Sequence, residues 1–292
     1  MDIRNHRIND IWYRQSSNIS GRITPKVIVT HYTTGWSGTA SRDWLLGAAG
    51  KTANAGSSAH VVIDRDGSAW QIAPFDRRAW HVGPSRHGNL ADLNSHSVGL
   101  EFVNPGWLRP DGSGGWADSH GVRKTTPELG SFGGFTEAAQ VRVGPQIYAW
   151  PLFSAAQIAT GLAIVRALVR KYPIAAVVTH EEVDTRGWKT DPGPAFPQHA
   201  FVELLDGRGS AAPEGRYLVG AVRLNLRGGP GMHYDRINPP GQLPGGTEVK
   251  VLRRKGHWSY VEVTRPASQA TRVAPGLRGW VHHSYLDLQL DG

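Results

Sequence analysis

Cysteine is absent from the 292 residues. Disulfides and thiolate ligands are therefore excluded, and any metal site has to be assembled from histidine, aspartate or glutamate. Long apolar runs are missing as well: none approaches the roughly 20 residues that a membrane-spanning helix needs. The N-terminal stretch "MDIRNHRINDIWYRQ" has no apolar segment behind a basic start, so it does not read as a secretory signal. Charge is sparse. Charged residues make up 19% of the chain against 39% hydrophobic, which excludes a disordered polyelectrolyte and supplies the side chains for a core. Dense Lys/Arg runs are lacking too. The formal net charge is +8 and the pI about 9.9, yet the cations, mostly Arg, are scattered. A nucleic-acid binder needs them clustered with stacking aromatics, and no such cluster is present. The basicity fits attraction to anionic lipid or an acidic wall polymer, or ordinary solubility.

What the chain does have is glycine (36), proline (19) and tryptophan (11), the mark of many turns and aromatic surfaces. Its length predicts two domains. "PKVIVTHYTTG" reads as a buried strand, Val27 to Thr30, that ends in His31. "SSAHVVIDRDGSAWQIAP" predicts a hairpin turning at Arg65-Asp66-Gly67. In "HSVGLEFVNPG", alternation puts Val98, Leu100 and Phe102 on one face of a strand and Gly99, Glu101 and Val103 on the other. Residues 105–150 are Gly-rich and irregular, and are expected to form a long insertion loop. Ser154 and Gln157 form a capping box. Ile158, Leu162, Val165, Leu168 and Val169 then recur at helical spacing until Pro173. A strand from Ile174 to Thr179 follows and ends in His180. Strands mixed with a long amphipathic helix predict an α/β layer structure over residues 1–205. "DGRGSAAPEGR" then reads as a linker, assigned to 206–215. Residues 216–292 carry short strands separated by turns and predict a small all-β domain.

The chemistry gathers at two strand ends that look alike, "VIVTH" and "AVVTH". If these strands are neighbours in one sheet, His31 and His180 converge. Asp191 follows in a loop stiffened by Pro192 and Pro194. Two imidazoles and one carboxylate suit a catalytic Zn²⁺ with its fourth position open to water. A histidine at a strand end, taken alone, is more often structural; the matching pair of strands and the Asp191 loop are what favour a metal. His60 reads as a buried, hydrogen-bonded residue, and the remaining histidines, His282 and His283 included, as surface residues.

Together, "IVTHYT", "SSAHVVIDRDG", "AWHVG", "SVGLEF" and "THEEVDTRGWKTDPGPAF" resemble the zinc-dependent N-acetylmuramoyl-L-alanine amidases, which share their fold with peptidoglycan recognition proteins. The last motif is the most specific and the hairpin motif the least. The resemblance implies a mixed β-sheet flanked by helices, with one Zn²⁺ per chain on His31, His180 and Asp191. It makes Glu101 the general base and Lys189 the cation that stabilises the oxyanion. It implies cleavage between the lactyl group of N-acetylmuramic acid and L-alanine of the stem peptide. Trp80 and His81 match a segment that lines the substrate cleft and would bind muropeptide. The C-terminal segment resembles a bacterial SH3-like domain, which implies a small barrel that binds cell-wall peptides. A recognition protein of the same fold, binding muropeptide without cutting it, is the competing class; the complete ligand set favours the enzyme. Action on the cell wall, in the periplasm or outside the cell, would then require phage lysis or a dedicated secretion route, or a cytoplasmic stage before release.

Overall fold

The strands Val27–Tyr32 and Ser97–Phe102 are buried along their whole length. Both faces of the sheet are covered there, so the apolar runs are continuous and the alternation in the sequence does not mark an exposed face. In the computed structural model, which describes residues 1–50, 56–140, 142–205, 216–231, 234–255, 258–268 and 273–289, these strands are the centre of a six-stranded sheet. Its order is Ala176–Thr179, Val27–Tyr32, Ser97–Phe102, Val61–Ile63, Ala69–Gln71, Trp12–Tyr13. The first four strands run parallel, the Val61–Ile63 and Ala69–Gln71 pair is antiparallel, and the sheet is therefore mixed. Register is what matters for the site. Glu101 lies opposite His31, and Thr179 opposite Thr30, so three neighbouring strands end at the same level.

The helix Ala155–Lys171 packs on this sheet through Gly161, Ile164, Val165, Leu168 and Val169. Ser154 caps it by accepting the Gln157 amide at 3.1 Å. The expected capping box is only half made. The Gln157 carboxamide instead donates to the carbonyls of Ile63 (2.9 Å) and Val103 (3.1 Å), tying the helix start to the sheet. Gly161 allows the closest approach: a Cβ there would lie 2.7 Å from the Phe102 ring.

Residues 105–150 differ from the expected irregular loop. They form a three-stranded sheet (Arg109–Pro110, Trp116–Ala117, Arg123–Lys124), a capped helix Thr126–Ser131 and a hairpin of Phe135–Gln140 with Gly144–Pro151. Leu108, Leu129 and Ala149 are its buried core, with Trp36, Trp116 and Phe135 packed against them. The strands of the three-stranded sheet are two residues long and joined through glycines in the left-handed region (Gly112, Gly114, Gly121), so no periodicity builds up there for a sequence reading to detect.

Contacts divide the chain into two compact units, Met1–Ser85 with Asp92–Leu204, and Arg86–Ala91 with Leu205–Gly292. The expected linker, 206–215, lies outside the described residues. The second unit is built on a five-stranded antiparallel sheet in the order Arg278–His282, Trp258–Arg265, Glu248–Lys255, Arg216–Val219, Leu286–Gln289. Ser259, Val261 and Val263 face its core. Among the described residues the two outer strands do not pair with each other, so the sheet is open and not the closed barrel that the SH3-like resemblance implied. His282 and His283, expected at the surface, are half-buried, His282 against Trp258 and Tyr285. No helix among the described residues is long and apolar enough to cross a membrane.

Candidate active site and metal centre

His31 is carried by the Val27–Tyr32 strand, one residue beyond Thr30. His180 opens the short helix His180–Val183, which Thr179 and Glu182 cap reciprocally. Because the two strands are parallel neighbours, the rings meet. Their Nδ1 atoms are 3.0 Å apart, and each lies 2.9 Å from Oδ2 of Asp191. All three residues are buried, and among the described residues they are the one group assembled as a metal-ligand set.

The donor chemistry fits a cation. His180 Nε2 faces the Val82 carbonyl oxygen at 3.1 Å, an acceptor only, so the ring proton sits on Nε2 and Nδ1 is a lone pair. That lone pair is aimed at a carboxylate oxygen. Burial, then the nearby His180 ring, lowers the His31 pKa to about 4, so this imidazole is neutral at pH 7. Asp191 places its Oδ2 2.9 Å from the Nδ1 atom of both rings and supplies the carboxylate of the set. Two imidazoles and one carboxylate, converging in a buried site, are the ligand types of a catalytic zinc site.

Glu101 is also buried, at 8% exposure, and its Oε2 has no hydrogen-bond partner among the described residues. Burial first, then the Asp191 carboxylate, raises its pKa well above the ordinary range, with Lys189 opposing. A bound dication would oppose it further. His31, His180, Asp191, Glu101 and Lys189 line one cleft of about 730 Å³, walled by Trp44, Trp80, Trp107 and Trp188. The expected residues therefore come together, with one difference of position. Trp80 is 39% exposed, with the Arg78 guanidinium 4.0 Å over its ring, and faces the cleft as a binding residue would. His81 borders the same cleft, but its ring is buried and both its nitrogens are engaged inside the protein, Nδ1 with His31 and Nε2 with Ser97. His60 is likewise internal, accepting the Gly99 amide at Nδ1 and meeting the Arg77 carbonyl at Nε2.

Two further residues were not picked out from the sequence. Asp184 is the hub of the loop that bears Lys189. Its carboxylate accepts the amides of Trp188 (2.7 Å) and Lys189 (3.0 Å) and the Arg186 guanidinium (3.1 Å). Burial raises its pKa, but these bonds outweigh it and bring it down to about 2. Asn94 accepts both the His81 and Val82 amides with its side-chain oxygen, at 3.0 and 3.1 Å. The Asp-x-Arg-Gly pattern at 184–187 was a usable turn signal for the first; the sequence carries none for the second.

The profile of the N-acetylmuramoyl-L-alanine amidase family matches residues 21–194, more than half of the chain. The chain belongs to this amidase family. The matched span contains the three candidate ligands, Glu101 and Lys189, and ends before residues 205–292. Among curated relatives, the 1,6-anhydro-N-acetylmuramyl-L-alanine amidase AmpD of Salmonella typhimurium is 30% identical over 149 residues, 51% of this chain and 57% of that protein. The N-acetylmuramoyl-L-alanine amidase AmiD of Escherichia coli is 28% identical over 130 residues, 44% of this chain and 34% of that protein. The chain thus spans little more than half the length of the curated relatives it matches. Among solved structures, that of a selenomethionine AmpD derivative superposes with a TM-score of 0.48 at 21% identity, over 70% of this chain and 99% of that one.

Proposed function

We propose that this amidase-family chain is a zinc hydrolase that cuts the amide between the lactyl group of N-acetylmuramic acid and L-alanine in peptidoglycan. The observation that carries the reading is the buried cluster of His31, His180 and Asp191 in a tryptophan-walled cleft. When bound there, Zn²⁺ supplies Lewis-acid polarisation of the amide carbonyl and lowers the pKa of water toward about 7. The chain's own residues do the rest. Glu101, with an unpartnered buried Oε2, takes the proton of the attacking water and returns it to the nitrogen that departs as the amino group of L-alanine. The Lys189 ammonium offsets the negative charge that develops on the former carbonyl oxygen. Trp80 offers a flat apolar face to the sugar or the stem peptide. On this reading the C-terminal unit is an SH3-like module, here with an open sheet, that holds the enzyme on wall polymer, and the site of action is the cell wall.

The test is mass spectrometry of the products after purified sacculi are incubated with the full chain, with and without a chelator. Release of stem peptides with a free L-alanine amine, abolished by the chelator and restored by zinc, is the expected result. Tight muropeptide binding with no cleavage under any metal condition would reassign the chain as a recognition protein. Muropeptides with reduced and with 1,6-anhydro muramic acid, compared in parallel, establish which sugar end the cleft accepts.

A further inference from the structure

His81 and Val82 are adjacent in the chain, and each stands behind one of the two histidine ligands. The bond pattern has a single direction, set by groups that can act in only one way. It begins at the Leu93 carbonyl, which can only accept. The Ser97 hydroxyl donates to it at 2.6 Å, so its one proton is used. Ser97 Oγ is also 3.2 Å from His81 Nε2 and can only accept there, which puts the His81 proton on Nε2. His81 Nδ1 is then a lone pair, and it faces His31 Nε2 at 3.0 Å. His31 must donate, so its proton is on Nε2 and its Nδ1 is a lone pair aimed at His180 and Asp191. On the other side the Val82 carbonyl does the same for His180. The dipeptide is itself fixed, because Asn94 accepts both of its amides. The seat of the His81 ring is shaped to match: a Cβ on Gly99 would lie 2.5 Å from its Cγ.

We propose that His81 is a positioning residue that, together with the Val82 carbonyl, assigns the ring proton of both histidine ligands to Nε2 and so presents both Nδ1 lone pairs to the metal. The proposal rests on the zinc reading given above. Partners of this kind, which orient a ligand ring and raise its basicity, contribute about 10–100-fold to metal affinity.

Two measurements on the full-length protein test this. The first uses the zinc-free wild type and the ¹⁵N shifts of its imidazoles. His31 and His81 are both expected as Nε2–H tautomers; a His31 proton found on Nδ1 would overturn the proposal without any mutation. The second is zinc affinity by competition with a chromophoric chelator. His81→Phe keeps a ring in the seat but removes both nitrogens, and is expected to weaken zinc binding by about 10–100-fold. His81→Gln, whose oxygen can accept from His31 and whose amine can donate to Ser97, is expected to recover most of the loss. Unchanged zinc affinity in a folded His81→Phe variant would refute the assignment. A wild type that binds no zinc would instead remove the metal reading itself, while the tautomer measurement still decides the relay.

Discussion

At the scale of single residues, the ligand triad separates metal binding from proton transfer. Asp191 brings the only formal charge to the triad and touches both imidazoles at 2.9 Å. Asp191→Ala leaves two neutral rings that bind a dication weakly, so zinc by elemental analysis is expected to fall from one per chain to a small fraction. Full occupancy in that variant would place the site elsewhere. Glu101 is not in the triad. Glu101→Gln keeps its size and hydrogen-bonding capacity but cannot take the proton, and is expected to lower kcat by about 10²–10⁴. Zinc content and muropeptide affinity are expected to stay near those of the wild type. A near-normal kcat would exclude Glu101 as the base, and loss of zinc would make its part structural. The convergence of His31 and His180 was legible in the sequence for a physical reason: each sits at the end of an apolar run, and parallel pairing in register brings such ends to one level. Glu101, which lies opposite His31 on the next strand, was singled out only by the family resemblance. The partnership of His81 with His31 was not legible, because the two residues are 50 positions apart and their contact depends on the ring seat over Gly99.

At the scale of elements, the loop that follows the His180 helix is organised by one buried carboxylate. The Asp184 side chain is fully buried, and its folded-state pKa of about 2 lies below the ordinary 3.8. A depressed acid contributes stability above its unfolded pKa and loses it as pH falls toward the folded value. The Asp184 contribution is therefore complete above about pH 4 and is lost between about pH 4 and pH 2. Asp184→Asn sets an amide NH₂ against donors and is expected to cost about 1.5–3 kcal/mol at pH 6, on the scale of hydrogen bonds to a charged group. Urea unfolding midpoints of the two proteins should differ at pH 6 and converge near pH 2. A gap that stays constant across that range would mean the carboxylate's charge is not what holds the loop. Because Lys189 donates its amide to Asp184, the same variant is expected to lower kcat more than it changes zinc content. The long helix was readable from its 3.6-residue period and its Ser154 cap. The three-stranded sheet in 105–150 was not, since its two-residue strands are shorter than any periodic signal, and the buried residues of this region, Leu108, Leu129 and Ala149 with Trp36, Trp116 and Phe135 packed on them, are scattered along the sequence.

At the scale of the whole molecule, charge is unevenly distributed. Residues 216–292 contain eleven Lys and Arg against five Asp and Glu, so a quarter of the chain carries +6 of the net +8. The cleft residues all precede position 192. The two functions proposed for the chain, attachment and cutting, are therefore expected to be separable. A chain ending at Leu205 keeps the triad, Glu101, Lys189 and every residue lining the cleft. It is expected to cleave a small soluble muropeptide with kcat/KM within about two-fold of the full chain, because a substrate of that size gains nothing from a second attachment point. On intact sacculi it is expected to be slower by about 10²-fold or more at low enzyme concentration, since tethering raises the effective concentration of the cleft near its bonds. If that attachment is electrostatic, the advantage of the full chain should shrink as salt is raised from about 0.1 M to 1 M, where the screening length falls from about 10 Å to 3 Å. The soluble reaction should change far less. An advantage that persists unchanged in 1 M salt would mean the C-terminal unit grips the wall through its aromatic and hydrogen-bonding groups and not through its charge. Equal activity of the two chains on sacculi at every salt concentration would show that the unit contributes no attachment at all.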